Sequence, residues 1–158
     1  MQKIVAFLWF DNQAEEATNF YTSIFKDSKI LEISRYGEAG PGPTGEVMVI
    51  SFQLAEQEFN ALNGGQRFKF NESISLVVNC ESQEEVDYFW KKLTADGGEE
   101  SMCGWLKDKY GLSWQIVPTA LGKLASDPDP VRAQRVIQAM LQMRKLDVDA
   151  LQRAYKGD

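Results

Sequence analysis

The chain writes one short phrase twice. "QAEEATNFY" at 13–21 and "SQEEVDYFW" at 82–90 match Glu15 with Glu84, Glu16 with Glu85 and Phe20 with Phe89, at one constant offset. A repeat of this kind constrains the fold more than any other feature, because it predicts one supersecondary unit made twice. The surroundings repeat as well. Each phrase follows an apolar, β-prone run, "KIVAFLWF" or "SISLVVN", and precedes short strand-like runs separated by glycine-bearing turns, with "RYG" at 35–37 echoed by "KYG" at 109–111.

Within each copy the local pattern is specific. Ala14, Ala17, Phe20/Tyr21 and Ile24 recur at three- and four-residue steps, which predicts a helix over about 13–25 with Asp11 or Asn12 as its N-cap. The paired glutamates sit in the first turn, where the helix dipole favours negative charge. "ILEISRYG", "EVMVISFQL" and "EFNALN" read as three strands, the first two joined by the breaker-rich loop "EAGPGPTG" and the last two by a turn at 55–57. In the second copy Glu81 or Ser82 is the expected cap. Val86, Phe89, Trp90 and Leu93 form the helix seam, Gly97-Gly98 stops it, and "SMCGWLKD" and "SWQIVP" supply the closing strands.

Beyond Pro118 the character changes. "ALGKLASD" reads as a short helix or turn. Asp129 with Pro130 opens a strong helix whose apolar stripe runs through Val131, Val136 or Ile137, Met140, Leu141 and Met143, and Asp147 caps another. The expected fold class is therefore α+β: two tandem strand–helix–three-strand modules, about 1–65 and 72–119, followed by a C-terminal helical extension over 120–158.

Composition narrows the chemistry. The sequence has no histidine, which excludes Ser-His-Asp and Cys-His nucleophile systems and removes the commonest nitrogen ligand for metals. A formal net charge of −6 without any Lys/Arg run disfavours nucleic acid and anionic membranes as partners. No apolar run approaches the roughly 20 residues needed to span a bilayer, and "MQKIVAFLWFD" reads as a first strand rather than a signal peptide. Cys80 and Cys103 lack CxxC spacing and read as reduced thiols of a cytoplasmic protein.

The segments "FDNQAEEATNFYTSIF", "ALNGG", "SLVVNCESQEEVDYFW", "CGWLKDKYGLSWQIVP" and "SDPDPVRAQRVIQAMLQM" resemble the vicinal oxygen chelate superfamily, the glyoxalase/bleomycin-resistance fold. Within it they resemble the PhnB-like branch, whose domain carries the label 3-demethylubiquinone-9 3-methyltransferase. The resemblance implies two βαβββ modules whose sheets curl into a cup-like mixed sheet, a homodimer, and a small-molecule ligand inside the cup. In metal-using members the ligands are His, Gln or Glu on the first and last strand of each module. Laid onto this sequence those positions are Ala6, Asn60, Ser75 and Gln115, a set that departs from the metal-binding pattern. The expectation is a site with no metal and no cofactor. The alternatives are a metal-dependent lyase, isomerase or dioxygenase drawing on Glu46, Glu56 or Glu58, and a purely structural module with a filled cup. The first strand leads into "FDNQAEE" without a glycine, which argues against a nucleotide-type S-adenosylmethionine cradle.

The ligand-binding candidates are Gln115, Ser75, Asn60, Trp105 and Arg35. Gln115 alternates with Trp114 and Ile116, which suit a helix-packed face and leave the amide on the other. A buried amide there is either a ligand contact or a satisfied core polar group. Asn60 carries the same ambiguity. Ser75, with Ser73, either donates to a small ligand or merely makes room. Trp105 either walls a pocket or packs the core, and Arg35 and Lys107 either meet an anion or stay solvated.

Overall fold

The computed structural model describes all 158 residues, which divide into two compact units, 1–70 and 71–158. In the first, β1 (Ala6–Phe10), α1 (Ala14–Ile24), β2 (Lys29–Arg35), β3 (Val47–Leu54) and β4 (Gln57–Asn63) form a four-stranded sheet in the order β1-β4-β3-β2. β1 runs parallel to β4, and the other pairs are antiparallel. The helix follows from the three- and four-residue spacing of Ala14, Ala17, Tyr21 and Ile24, all buried on one side. That side packs on β3 and β4, where Ile50, Phe52 and Ala61 are fully buried. Burying a side chain such as Phe52 contributes about 1.5–3 kcal/mol.

The expected cap of α1 is corrected. Gln13 occupies the N-cap position without a side-chain bond, and Asn63 Oδ1 at the end of β4 accepts from Ala14 N at 2.8 Å. Asp11 and Asn12 lie too early in the connection to reach the first turn's free N–H groups. The tertiary partner also fixes α1 against the last strand of its sheet.

In the second unit β5 (Ser75–Cys80), α2 (Gln83–Thr94), β6 (Glu99–Glu100), β7 (Trp105–Lys107) and β8 (Ser113–Pro118) repeat the plan, with sheet order β5-β8-β7-β6 and β5 parallel to β8. Here the cap is local. Ser82 Oγ accepts from Glu85 N at 3.2 Å, and Glu85 Oε2 reaches back past the cap to accept from Glu81 N at 2.7 Å, a variant of the capping box. α2 ends at Thr94, and a single 3₁₀ turn over Ala95–Gly97 carries the chain to the glycines. "SMCGWLKD" forms a strand only at 105–107. The edge strand is the two-residue Glu99–Glu100, too short for any alternating pattern to announce it.

α3 (Thr119–Ala125), α4 (Pro130–Leu141) and α5 (Val148–Lys156) follow, the last two capped by Asp129 and Asp147 as the sequence predicts. The apolar stripe is narrower than its spacing suggests. Val131 and Leu141 are exposed, and the buried seam consists of Val136, Leu146 and Leu151. The helices belong to the second unit. Cys103 N and Gly104 N donate to the carbonyls of Met143 and Arg144 at 2.7 and 2.8 Å. Gly104 has φ +83, and a Cβ there would stand 2.9 Å from the Ile116 carbonyl and 3.0 Å from Leu146, so only glycine lets the segments close. No helix is long and apolar enough to cross a membrane.

Candidate functional site

Strand alternation sorts each sheet into a face that meets its helix and a face turned away from it. On β8, Trp114 and Ile116 are buried toward α2, while Gln115 is half-buried on the opposite face. The register sets Gln115 between Val77 of β5 and Trp105 of β7. Gln115 Nε2 donates to Ser75 Oγ at 2.9 Å. Three candidate residues, Ser75, Trp105 and Gln115, thus come together on adjacent strands.

The other two lie in the first sheet and do not meet. Asn60 holds the register position of Gln115, opposite Phe7 on β1 and Ser51 on β3, and its Oδ1 accepts from Ser51 Oγ at 2.7 Å. Arg35 ends the edge strand β2, two strands from β4, and its Nη1 donates to the Gly45 carbonyl at 3.3 Å. Ala6 is a correction. It pairs with Phe59, whose buried ring faces α1, so Ala6 lies on the helix side. The first-strand residue beside Asn60 is Phe7. The offset read from the helices slips by one across the strand–helix connection, because 11–13 in the first module is one residue longer than 81–82 in the second. Ser73 precedes β5, and its N–H and hydroxyl both bond Asn71 Oδ1 in a local turn.

Beside Trp105 a pocket of about 180 Å³ opens at β6, β7 and β8, with Glu72, Glu99, Glu100, Lys107 and Ser113 in its lining. Lys107 is ion-paired with Glu72, and the hydrogen bond from Lys107 holds the Glu72 carboxyl below the usual range. Glu100 Oε1 accepts from Trp90 Nε1 at 2.6 Å. Ser113 is 1% exposed and its hydroxyl has no partner. Ser113 and the acidic rim were not singled out by sequence reasoning. The only available signal was that Ser113 shares the Gln115 face by alternation, since burial of a serine leaves no pattern.

In the first unit a pocket of about 310 Å³ lies under the glycine/proline loop, lined by Asp11, Tyr36, Gly42, Glu46 and Asn63 among others. Asn63 is fully engaged there. Its Oδ1 caps α1, its Nδ2 donates to the Val47 carbonyl at 3.2 Å, and its own carbonyl accepts from the Tyr36 hydroxyl.

These donors do not suit a catalytic divalent metal. On the two faces they are neutral amides and hydroxyls, already bonded to one another, with Phe7 and Val77 as their first-strand neighbours. Hard cations need carboxylates alongside such groups. No three Cys, Asp or Glu side chains gather at metal-binding spacing, so Glu46, Glu56 and Glu58 form no such set. A cysteine nucleophile fares no better at Cys80. Burial, with Glu85 and Glu81 nearby, pushes its thiol up to about 12, away from the reactive thiolate.

Comparison with known proteins gives this geometry its family. The model of the 3-demethylubiquinone-9 3-methyltransferase family matches residues 2–117. The chain is a PhnB-like member of the vicinal oxygen chelate superfamily. The PhnB protein of Bacillus cereus is 44% identical, with a TM-score of 0.68 over 74% of this chain and 99% of that one. PA1353 of Pseudomonas aeruginosa shares the fold at 18% identity and TM-score 0.61, covering 75% of this chain and 98% of its own. FosX of Listeria monocytogenes, solved with Mn(II) and sulfate, shares it at 16% identity and TM-score 0.51, covering 73% and 92%. No curated protein matches. The family match ends at Val117, so α3 to α5 of this PhnB-like chain lie beyond it even though "SDPDPVRAQRVIQAMLQM" was part of the resemblance.

Proposed function

We propose that this PhnB-like protein binds a small, partly apolar molecule on the β5–β8–β7 face, without a catalytic metal. The observation that carries the reading is the half-buried Gln115–Ser75 pair beside Trp105: an amide with hydrogen-bonding capacity to spare next to an aromatic wall. Asn60 is the matching contact of the first sheet. Methyl transfer from S-adenosylmethionine is not part of this reading. Neither sheet is all-parallel, and the β1–α1 connection holds no glycine to approach a cofactor closely.

A homodimer in the cytoplasm completes the proposal. β1 and β5 are sheet edges exposing Phe7 at 55% and Val77 at 51%, and apolar strand edges are templates for pairing. Both cysteines are free, which suits a reducing compartment.

The test follows the Trp105 indole N–H signal by NMR while small aromatic and aliphatic compounds are added to the full chain. Binders should shift that signal, and Gln115→Ala should weaken them about tenfold, the effect of one or two lost hydrogen bonds. Stoichiometric binding of Mn(II) that Gln115→Ala abolishes would overturn the metal-free reading. A monomer by sedimentation would remove the homodimer.

A further inference from the structure

We propose that the pocket at β6, β7 and β8 takes the positively charged end of a small amine. The inference deepens the reading above, since Trp105 belongs to both. Charge comes first. Glu72, Glu99 and Glu100 line the pocket against a single cation, Lys107, which is already ion-paired with Glu72; Glu100 Oε1 is taken by the Trp90 indole, which leaves Glu99 as the carboxylate for a guest. Glu99 stands opposite Lys107 in the β6–β7 register. The lining therefore keeps surplus negative charge, and an anionic guest would meet carboxylates without a free cation.

Ser113 is an independent observation. Its hydroxyl is buried and unpartnered, although buried polar groups in folded proteins are paired almost without exception. A hydroxyl lining a pocket with an open acceptor site suits a ligand that donates, and an ammonium donates three hydrogen bonds. Trp105 adds an aromatic wall, and indole is the side chain that attracts cations best. At about 180 Å³ the space equals roughly six waters of liquid volume, which limits the guest to a small amine or the amine end of a larger molecule.

The experiment titrates n-butylammonium, 1-butanol and butyrate into the full chain, reading the Trp105 indole N–H signal. The amine should bind at least about tenfold more tightly than the alcohol, with butyrate weakest. Ser113→Ala should lower amine affinity about five- to tenfold, the worth of one hydrogen bond, while leaving thermal stability unchanged or raised, because the variant removes an unsatisfied hydroxyl. A purely structural serine would not separate those two readouts. Equal affinity for amine and alcohol, or unchanged amine affinity in Ser113→Ala, overturns the inference. If neutral compounds shift the signal and amines do not, only the charge preference fails. If no compound shifts it, the small-molecule site itself fails.

Discussion

The two modules join their corresponding strands, β3 to β4 and β7 to β8, by turns of opposite chemistry. Between β3 and β4 the turn is Ala55-Glu56, two non-glycine residues forced to φ +46 and +69. Between β7 and β8 the chain takes a longer path around Asp108, which is 2% exposed and accepts from Tyr110 N, Leu112 N and the Trp114 indole at 2.9, 3.1 and 2.9 Å. One module stores backbone strain to turn tightly, and the other buries a carboxylate to turn widely. The duplicated plan thus fixes which strands pair and leaves each turn to its own residues.

The sharpest way to break this contrast is Asp108→Ala. It strands backbone donors and an indole N–H in a buried place, at about 3 kcal/mol or more. Urea denaturation of the variant should show a correspondingly lower midpoint, with β7–β8 amides exchanging first. A loss under 1 kcal/mol would mean the turn holds without its carboxylate. Gly42→Ala tests the first module's other device. The loop between β2 and β3 lies on the Tyr36 ring, and a Cβ at Gly42 would stand 2.4 Å from it. Displacing that ring should cost about 2 kcal/mol and weaken the Tyr36–Asn63 hydrogen bond, read as a lower melting temperature with faster exchange across β4.

The contrast also explains what the sequence made legible. Helix seams, the succession of strands and helices along the chain, and the caps at Ser82, Asp129 and Asp147 all rest on local pattern, and local pattern is written in sequence. Asn63 capping α1 from a distant strand is a tertiary choice, and so was missed. The Ala6 slip has the same root, because alternation fixes the face only after the connection length is known. At the candidate site the resemblance set Gln115 and Ser75 in one group, but their direct hydrogen bond depends on two strands far apart in sequence, and no local pattern announces it. Ser113 was passed over because a serine reads as polar surface until a fold buries it.

Ala55→Gly carries the opposite sign to Asp108→Ala. Glycine adopts φ +46 without a Cβ clash, and relief of that strain, partly offset by a freer unfolded chain, should stabilise the protein by about 0.5–1 kcal/mol. Matched urea titrations of the two variants would show whether strain and a buried carboxylate are alternative solutions. A neutral or destabilising Ala55→Gly would place no strain in the first turn.

The smallest expected effect separates the twin helices. Where α1 has the buried Thr18, α2 has Asp87, which meets Lys145 Nζ at 2.8 Å, while Gln83 ties the Leu146 carbonyl and Val148 N–H to the same helix at 3.0 and 2.7 Å. Hydrogen bonds from Lys145 and then Gln83 lower the Asp87 carboxyl below its ordinary value. A carboxyl depressed on folding stabilises the chain above its unfolded pKa and loses that contribution as pH falls through the folded one. Docking of the 143–148 segment should therefore weaken on acidification below about pH 4. Both partners are half-exposed, so the loss should be only a few tenths of a kcal/mol and should shrink in high salt. Amide exchange at Leu146 and Val148, compared between wild type and Asp87→Asn, isolates it. The wild type should lose protection with acid more steeply than the variant, and identical pH profiles would show that Gln83 alone holds the segment to α2.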